Sequence, residues 1–216
     1  MRATHALALA AAATVAAGCN TAPPPSAAVR GKHQFENYCM PCHGPEGHGN
    51  PDIAAPSIAG LPEWYVVRQL QKYRAGVRGS HADDIEGFRM RPMSLALQSE
   101  QAVQDVAAYV AAIPPIPASQ LTPSVEGGHA EKGKELYATC TACHGADGKG
   151  NEALGAPILT QTHDWYLLTQ LKKFKNGARA YDEADTWGAT MVPMAQSLAD
   201  EQAMKDVVAY IQTLRK

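Results

Sequence analysis

Three things the sequence lacks narrow what it can be. It has no excess of charge of either sign: 19 Lys and Arg face 21 Asp and Glu, for a formal net charge of −2. The balance is near even in each half, so no basic arm or patch marks a nucleic-acid partner. It has no long apolar run. The longest, Ala6 to Ala17, is 12 residues, short of the roughly 20 that a membrane-spanning helix needs. And no segment alternates apolar with polar residues as a half-buried strand does, which leaves an all-α fold as the expectation. With 216 residues, 45% of them hydrophobic, the chain can bury one ordinary core or two small ones.

What is present begins with a leader. Arg2, the apolar run and the small residues "AAGC" make residues 1–19 a secretory signal. "AAGC" also resembles a bacterial lipobox, with Ala16 where such motifs usually carry Leu, and makes Cys19 a lipidation candidate. Residues 20–30, "NTAPPPSAAVR", are rich in Pro, Ala and Ser and read as a flexible tether. A lipid-bearing Cys19 ahead of a tether would hold a soluble domain at a membrane surface, in the periplasm of a bacterium.

The remainder is written twice. Sliding the sequence by 101 residues lays Gly49-Asn50 on Gly150-Asn151, Trp64-Tyr65 on Trp165-Tyr166 and Arg78 on Arg179. The same slide lays Met90 on Met191 and Ala108-Tyr109 on Ala209-Tyr210, with no insertion or deletion across this span. Two homologous domains follow, residues 31–113 and 126–216, joined by a Pro-rich linker at 114–125. Each domain should hold a short helix before its first cysteine (Gly31 to Tyr38; Glu131 to Thr139). Next come a loop rich in Gly, Pro and Asn, and an amphipathic helix at Glu63–Ala75 and Asp164–Asn176. A final helix should be N-capped by Ser99 or Asp200. The Met-Pro segment before that helix reads as a loop.

The most informative repeat is "CMPCH" at 39–43 against "CTACH" at 140–144. A Cys-x-x-Cys pair alone is ambiguous among zinc, redox dithiol and heme, but a following His makes it the c-type heme attachment sequence. Cys39, Cys42 and His43, with Cys140, Cys143 and His144, are the expected attachment residues for two covalently bound heme c groups. A zinc site shared by the four cysteines would leave both histidines unexplained, and a redox dithiol would call for a βαβ context that is absent.

The second axial ligand separates a carrier from a catalyst, because electron-transfer hemes keep both axial sites filled, commonly by His and Met. Four of the seven methionines lie in "MRPM" at 90–93 and "MVPM" at 191–194. Spacing alone does not choose between Met90 and Met93, or between Met191 and Met194. His33, His48, His129 and His163 lack a His at the equivalent repeat position and read as surface residues. His81 stands opposite Asp182.

Taken together, "CMPCHG" and "CTACHG", "WYVVRQLQKYRAGVRG" and "WYLLTQLKKFKNGARA", and the two segments running from Met90 and Met191 resemble the diheme cytochrome c4 family, two class I cytochrome c domains in tandem. The resemblance implies that the first methionine of each segment binds iron, so His43 with Met90 and His144 with Met191 become the expected axial pairs. It also implies a periplasmic electron carrier with redox protein partners. A quinol-oxidising complex or a dehydrogenase would be the donor and a terminal oxidase the acceptor. Two competing functions remain: the cytochrome subunit of a dehydrogenase, as in flavocytochrome c sulfide dehydrogenase, and a diheme peroxidase with one open heme. The duplicated methionines weigh against the second.

Overall fold

In the computed structural model, which describes residues 25–215, the chain is helical. Among these residues the only β pairings are two isolated bridges, Asn50 with Ala55 and Asn151 with Ala156. The leader, Cys19 and the first part of the tether lie outside the described residues. Domain 1 comprises α1 (Ala27–Gln34), α2 (Met40–His43), α3 (Glu63–Ala75), α4 (Ile85–Leu95) and α5 (Glu100–Ala112). Domain 2 comprises α6 (Ala130–Tyr137), α7 (Thr141–His144), α8 (Asp164–Lys175), α9 (Thr186–Ala189), α10 (Met191–Ser197) and α11 (Glu201–Thr213). Ser99 and Asp200 cap α5 and α11 as expected, accepting from Ala102 N at 3.1 Å and Ala203 N at 2.9 Å.

Each domain closes around its own core. Phe35, Leu70, Leu97, Val103, Val106 and Val110 form the first, and Tyr137, Leu167, Leu168, Leu198, Met204, Val207, Val208 and Ile211 the second. Burying each large apolar side chain contributes about 1.5–3 kcal/mol. The first and last helices of each domain cross closely because a glycine sits at the crossing. A Cβ on Gly31 would collide with the Asp105 carbonyl oxygen of α5, and one on Gly133 with that of Asp206 in α11. Beside each glycine an aromatic pair fills the crossing, Phe35 with Tyr109 and Tyr137 with Tyr210, each at 5.3 Å between ring centroids.

These crossing residues reveal a break in the repeat. Gly31 matches Gly133 and Phe35 matches Tyr137 at an offset of 102, whereas Asp105 matches Asp206 and Cys39 matches Cys140 at 101. Domain 1 therefore holds one extra residue between its aromatic anchor and its first cysteine. The backbone absorbs it in a π-helical turn, Phe35–Cys39, since an i→i+5 turn takes one residue more than an α turn. Both motifs thus reach the same place from helices packed in the same way.

Three expectations change. The tether ends sooner than residue 30: α1 begins at Ala27, capped by Ser26, and Arg30 is bound to Asp105 by Nε at 2.5 Å and Nη2 at 3.0 Å. The Met-Pro segment of domain 1 is helix rather than loop, with Met90 and Pro92 both inside α4. That helix starts where the Asp84 carboxylate accepts from Gly87 N at 3.2 Å. The 114–125 linker is packed, not slack. Ile116 and Leu121 are buried, and the Asp164 carboxylate accepts from Ser124 N at 2.5 Å, Ser124 Oγ at 2.9 Å and Val125 N at 2.7 Å.

Candidate functional site

Each Cys-x-x-Cys-His motif winds into one helical turn ending on its histidine, and the following glycine, Gly44 or Gly145 at φ 78°, turns the chain away. That exit lets a loop fold back over the imidazole. His43 and His144 are 6% and 5% exposed, and their Nδ1 atoms lie 2.8 Å from the Pro56 carbonyl and 2.9 Å from the Pro157 carbonyl. A carbonyl only accepts, so Nδ1 carries the proton and Nε2 keeps a lone pair for a metal. Burial holds both imidazoles below the ordinary histidine value, against the opposing pull of the carbonyl bonds. Both therefore sit in the neutral form that ligates.

The cysteines fit the same use. None of the four is in a disulfide. Cys39 is buried, and burial followed by the neighbouring Cys42 pushes its thiol up to about 12. Burial also raises Cys140, while Cys42 and Cys143 are exposed. Each motif thus offers one inner and one outer thiol across an edge. Among the described residues no group of three or more His, Cys, Asp or Glu side chains gathers to hold a metal ion on its own.

A cavity of about 310 Å³ runs between the domains, reaching His43 and Met90 in one and His144 and Met191 in the other. Met194 is 39% exposed and does not line it, so in domain 2 the cavity singles out Met191. In domain 1 both Met90 and Met93 touch the cavity, but only Met90 packs against the buried core. The cavity wall is apolar over most of its area, as a porphyrin face requires, yet it is lined by polar atoms with no partner among the described residues. These are Arg68 Nη1, Arg78 Nε, Asp84 Oδ2, Thr162 Oγ1, Trp165 Nε1 and Arg179 Nε. Arg78 and Arg179 are buried and make no ion pair among the described residues. Arg78 donates to Gln69 Oε1 at 2.7 Å, Tyr166 Oη at 3.2 Å and Gln170 Oε1 at 3.2 Å, and Arg179 to Gln170 Oε1 at 2.9 Å. Burial, then Arg78, holds Arg179 below its ordinary value. Buried cations without carboxylates are costly unless a ligand supplies the charge. Two hemes, each apolar in its ring and carrying two carboxylates, fit this wall.

The two halves are clamped by reciprocal pairs. Lys72 of α3 bonds Asp185, and its repeat equivalent Lys173 of α8 bonds Asp84 at 2.5 Å. This is the signature of a near two-fold arrangement, and it is broken at one position. Glu86 in domain 1 gives Lys173 a second carboxylate, whereas Trp187 stands in the equivalent place of domain 2 with the Arg68 guanidinium 4.6 Å from its ring centroid. Repetition at the sequence level could not show that these residues face each other. The repeated tryptophans are used differently. Trp64 stacks with Arg68 outside the main cavity while Trp165 lines it. His163, read as a surface residue, is half-buried at the interface, with its Nδ1 accepting from Ser57 N at 3.3 Å.

Comparison with known proteins bears on this geometry. The family model described as Cytochrome c matches residues 28–114 and again 130–215. The chain belongs to the cytochrome c family, as a diheme protein of the cytochrome c4 group. It is 33% identical to cytochrome c4 of Azotobacter vinelandii over 186 residues, covering 82% of this chain and 84% of that one. The crystal structure of reduced recombinant cytochrome c4 from Pseudomonas stutzeri superposes with a TM-score of 0.63 at 28% identity, over 86% of this chain and 97% of that chain. The chain is also 30% identical over 153 residues to the thiosulfate dehydrogenase electron acceptor of Thiomonas intermedia (strain K12), covering 67% of this chain and 65% of that protein. Two cytochrome c domains of this group carry two covalently bound heme c, and the group consists of electron carriers rather than enzymes.

Proposed function

We propose that the chain is a periplasmic electron shuttle that receives electrons from a quinol-oxidising complex or a dehydrogenase and passes them to a terminal oxidase. Cys39, Cys42, Cys140 and Cys143 would hold the two hemes, and His43 with Met90 and His144 with Met191 would ligate their irons. Cys19, lipidated, keeps the protein at the membrane; among the described residues no helix is long and apolar enough to cross one. The observation that carries the reading is the shared cavity, which both histidines and both first methionines line.

Each heme, when bound, supplies a one-electron iron couple. The protein's own part is to hold its ligands still. The Pro56 and Pro157 carbonyls fix the imidazole tautomers and raise their basicity. The reciprocal lysine–aspartate pairs prevent the domains from sliding. The apolar wall excludes water, which limits rearrangement when charge changes, and the buried guanidiniums of Arg78 and Arg179 would offset heme carboxylates. With a histidine and a methionine ligating each iron, no open position would remain for a substrate.

The test is the far-red methionine–iron band of the oxidised holoprotein. Met90→Ala and Met191→Ala should each remove half of it, and Met93→Ala and Met194→Ala none. Retention of the full band in either of the first two variants overturns that ligand assignment. A second reading, the electron-accepting partner of a sulfur-compound dehydrogenase, is favoured by the similarity to the Thiomonas protein. Its heme chemistry is the same, and recovery of a stoichiometric complex with such an enzyme would distinguish it.

A further inference from the structure

The Pro56–Ser57 peptide unit is engaged at both ends. Its carbonyl accepts from His43 Nδ1 at 2.8 Å, and its N–H, on Ser57, donates to His163 Nδ1 at 3.3 Å. Ser57 is 1% exposed, so neither bond competes with bulk water. The two bonds therefore form a chain through one amide, from an axial ligand of domain 1 to a titratable ring of domain 2. Hydrogen bonds in such chains polarise one another. Domain 2 has no counterpart. The repeat places Ile158 at the position of Ser57 and Pro62 at that of His163, and a proline side chain cannot accept a hydrogen bond. Among the described residues the Ile158 N–H donates to nothing.

We propose that His163 is a positioning residue for the heme ligand His43 in the other domain, and that its protonation makes the potential of the first heme, and not the second, depend on pH. The inference rests on the reading of His43 as an axial ligand. A neutral His163 accepts from Ser57, which strengthens the carbonyl of Pro56 as an acceptor and makes His43 the better electron donor to iron. That favours the oxidised form. A protonated His163 has no lone pair on Nδ1. The chain then breaks at Ser57, His43 donates less, and a positive charge stands near the site. Both changes favour the reduced form, so the potential of the first heme rises as pH falls.

The surroundings of His163 set where this happens. Its ring stacks on Trp165 with centroids 5.4 Å apart. The charged and titratable groups facing it are Arg215 from the end of the chain, His48 from the domain 1 loop, and Asp164 at the start of α8. Arg215 is held there by bonds to the carbonyls of Leu121, at 3.1 Å, and Thr162. Burial, then Arg215, lowers the His163 value; Asp164 opposes them and His48 adds to them. At neutral pH the ring is neutral and the chain is made.

The experiment is a spectroelectrochemical titration of the two hemes in the holoprotein from pH 5 to 8. Paramagnetic NMR of the coordinated methionine methyl groups assigns each couple to its domain. In the parent protein the first heme's midpoint should rise on acidification in a single step that the second lacks. In His163→Gln, whose amide oxygen accepts but does not titrate, that step should vanish with both hemes still bound. In His163→Ala the His43 Nδ1–H resonance should also move while that of His144 stays. His48→Gln should keep the step. A parent protein with no step, or with equal steps in both hemes, overturns the proposal, and so does a step that survives in His163→Gln. Absence of a hyperfine-shifted His43 ring in the parent spectrum would instead mean that the ligand reading fails.

Discussion

Replacing Lys173 by Met should expose how far the domain interface depends on its buried charges. The Lys173 side chain is 8% exposed and that of Asp84 2%. The variant keeps the apolar stem of residue 173 but strands the Asp84 carboxylate, which is left with only Gly87 N as a donor. Removing one member of a buried pair costs about 3–5 kcal/mol, mostly through the charge left behind. For a chain of this size that corresponds to a fall in Tm of roughly 6–20 °C. The loss should depend on pH in a definite sense. Burial, the largest single influence, would raise Asp84, but Lys173, Arg78 and the Gly87 N–H together outweigh it and the value lies below the usual carboxylate range. A depressed carboxylate contributes stability above its unfolded value, lost only as pH falls through the lower folded one. Without Lys173 burial is opposed only by Arg78 and the Gly87 N–H, the Asp84 value rises, and the penalty is relieved once the group takes a proton. The deficit should therefore be greatest near pH 7 and should narrow toward pH 4. The assay is thermal unfolding by circular dichroism at several pH values, with Lys173→Met/Asp84→Asn as the comparison. A deficit below about 1 kcal/mol, or a double variant no more stable than the single, would refute the reasoning.

Gly133→Ala should destabilise the protein by about 3 kcal/mol or more in denaturant unfolding, because its Cβ would meet the Asp206 carbonyl of α11. Asp164→Asn should lose about 2–3 kcal/mol at neutral pH by weakening the carboxylate's bonds to Ser124, Val125 and Trp165. Burial would raise Asp164 but those donors outweigh it, so the parent loses this contribution only on acidification below about pH 4, and the variant should show a flatter acid limb. Deleting one residue from Phe35–Cys39 should convert the π turn to α geometry with the Gly31 crossing retained, read as full covalent attachment of both hemes by mass; failure to attach the first heme would argue against the register account.

The helices that position the site were legible where local signals agree. The helical spacing of Trp64, Val67 and Leu70 gives α3 as Glu63–Ala75, its observed span, which Pro62 precedes and Gly76 leaves at φ 77°. The motif histidines, and the need for a group beside them, were legible because the pentapeptide carries its own chemistry. The sequence puts Met90 in a loop ahead of the last helix, whereas Asp84 caps a helix that carries through Pro92. The π turn was hidden because the 101-residue register holds from Cys39 onward and the shift lies upstream, in a short helix with few identities. Comparing repeats favours residues that recur, and His163, whose proposed role depends on its being present once, does not. The reciprocal lysine–aspartate pairs were visible as repeated letters, but only folding shows that each lysine reaches the other domain's aspartate.

The central claim is that both irons are closed and the protein moves electrons without binding a substrate. It is tested most directly by adding carbon monoxide to the fully reduced holoprotein and recording the optical spectrum. Two hemes per chain and an unchanged spectrum are the predicted result. A carbon monoxide adduct formed by either heme would contradict it, because an iron open to a diatomic ligand is a site for chemistry rather than for transfer alone.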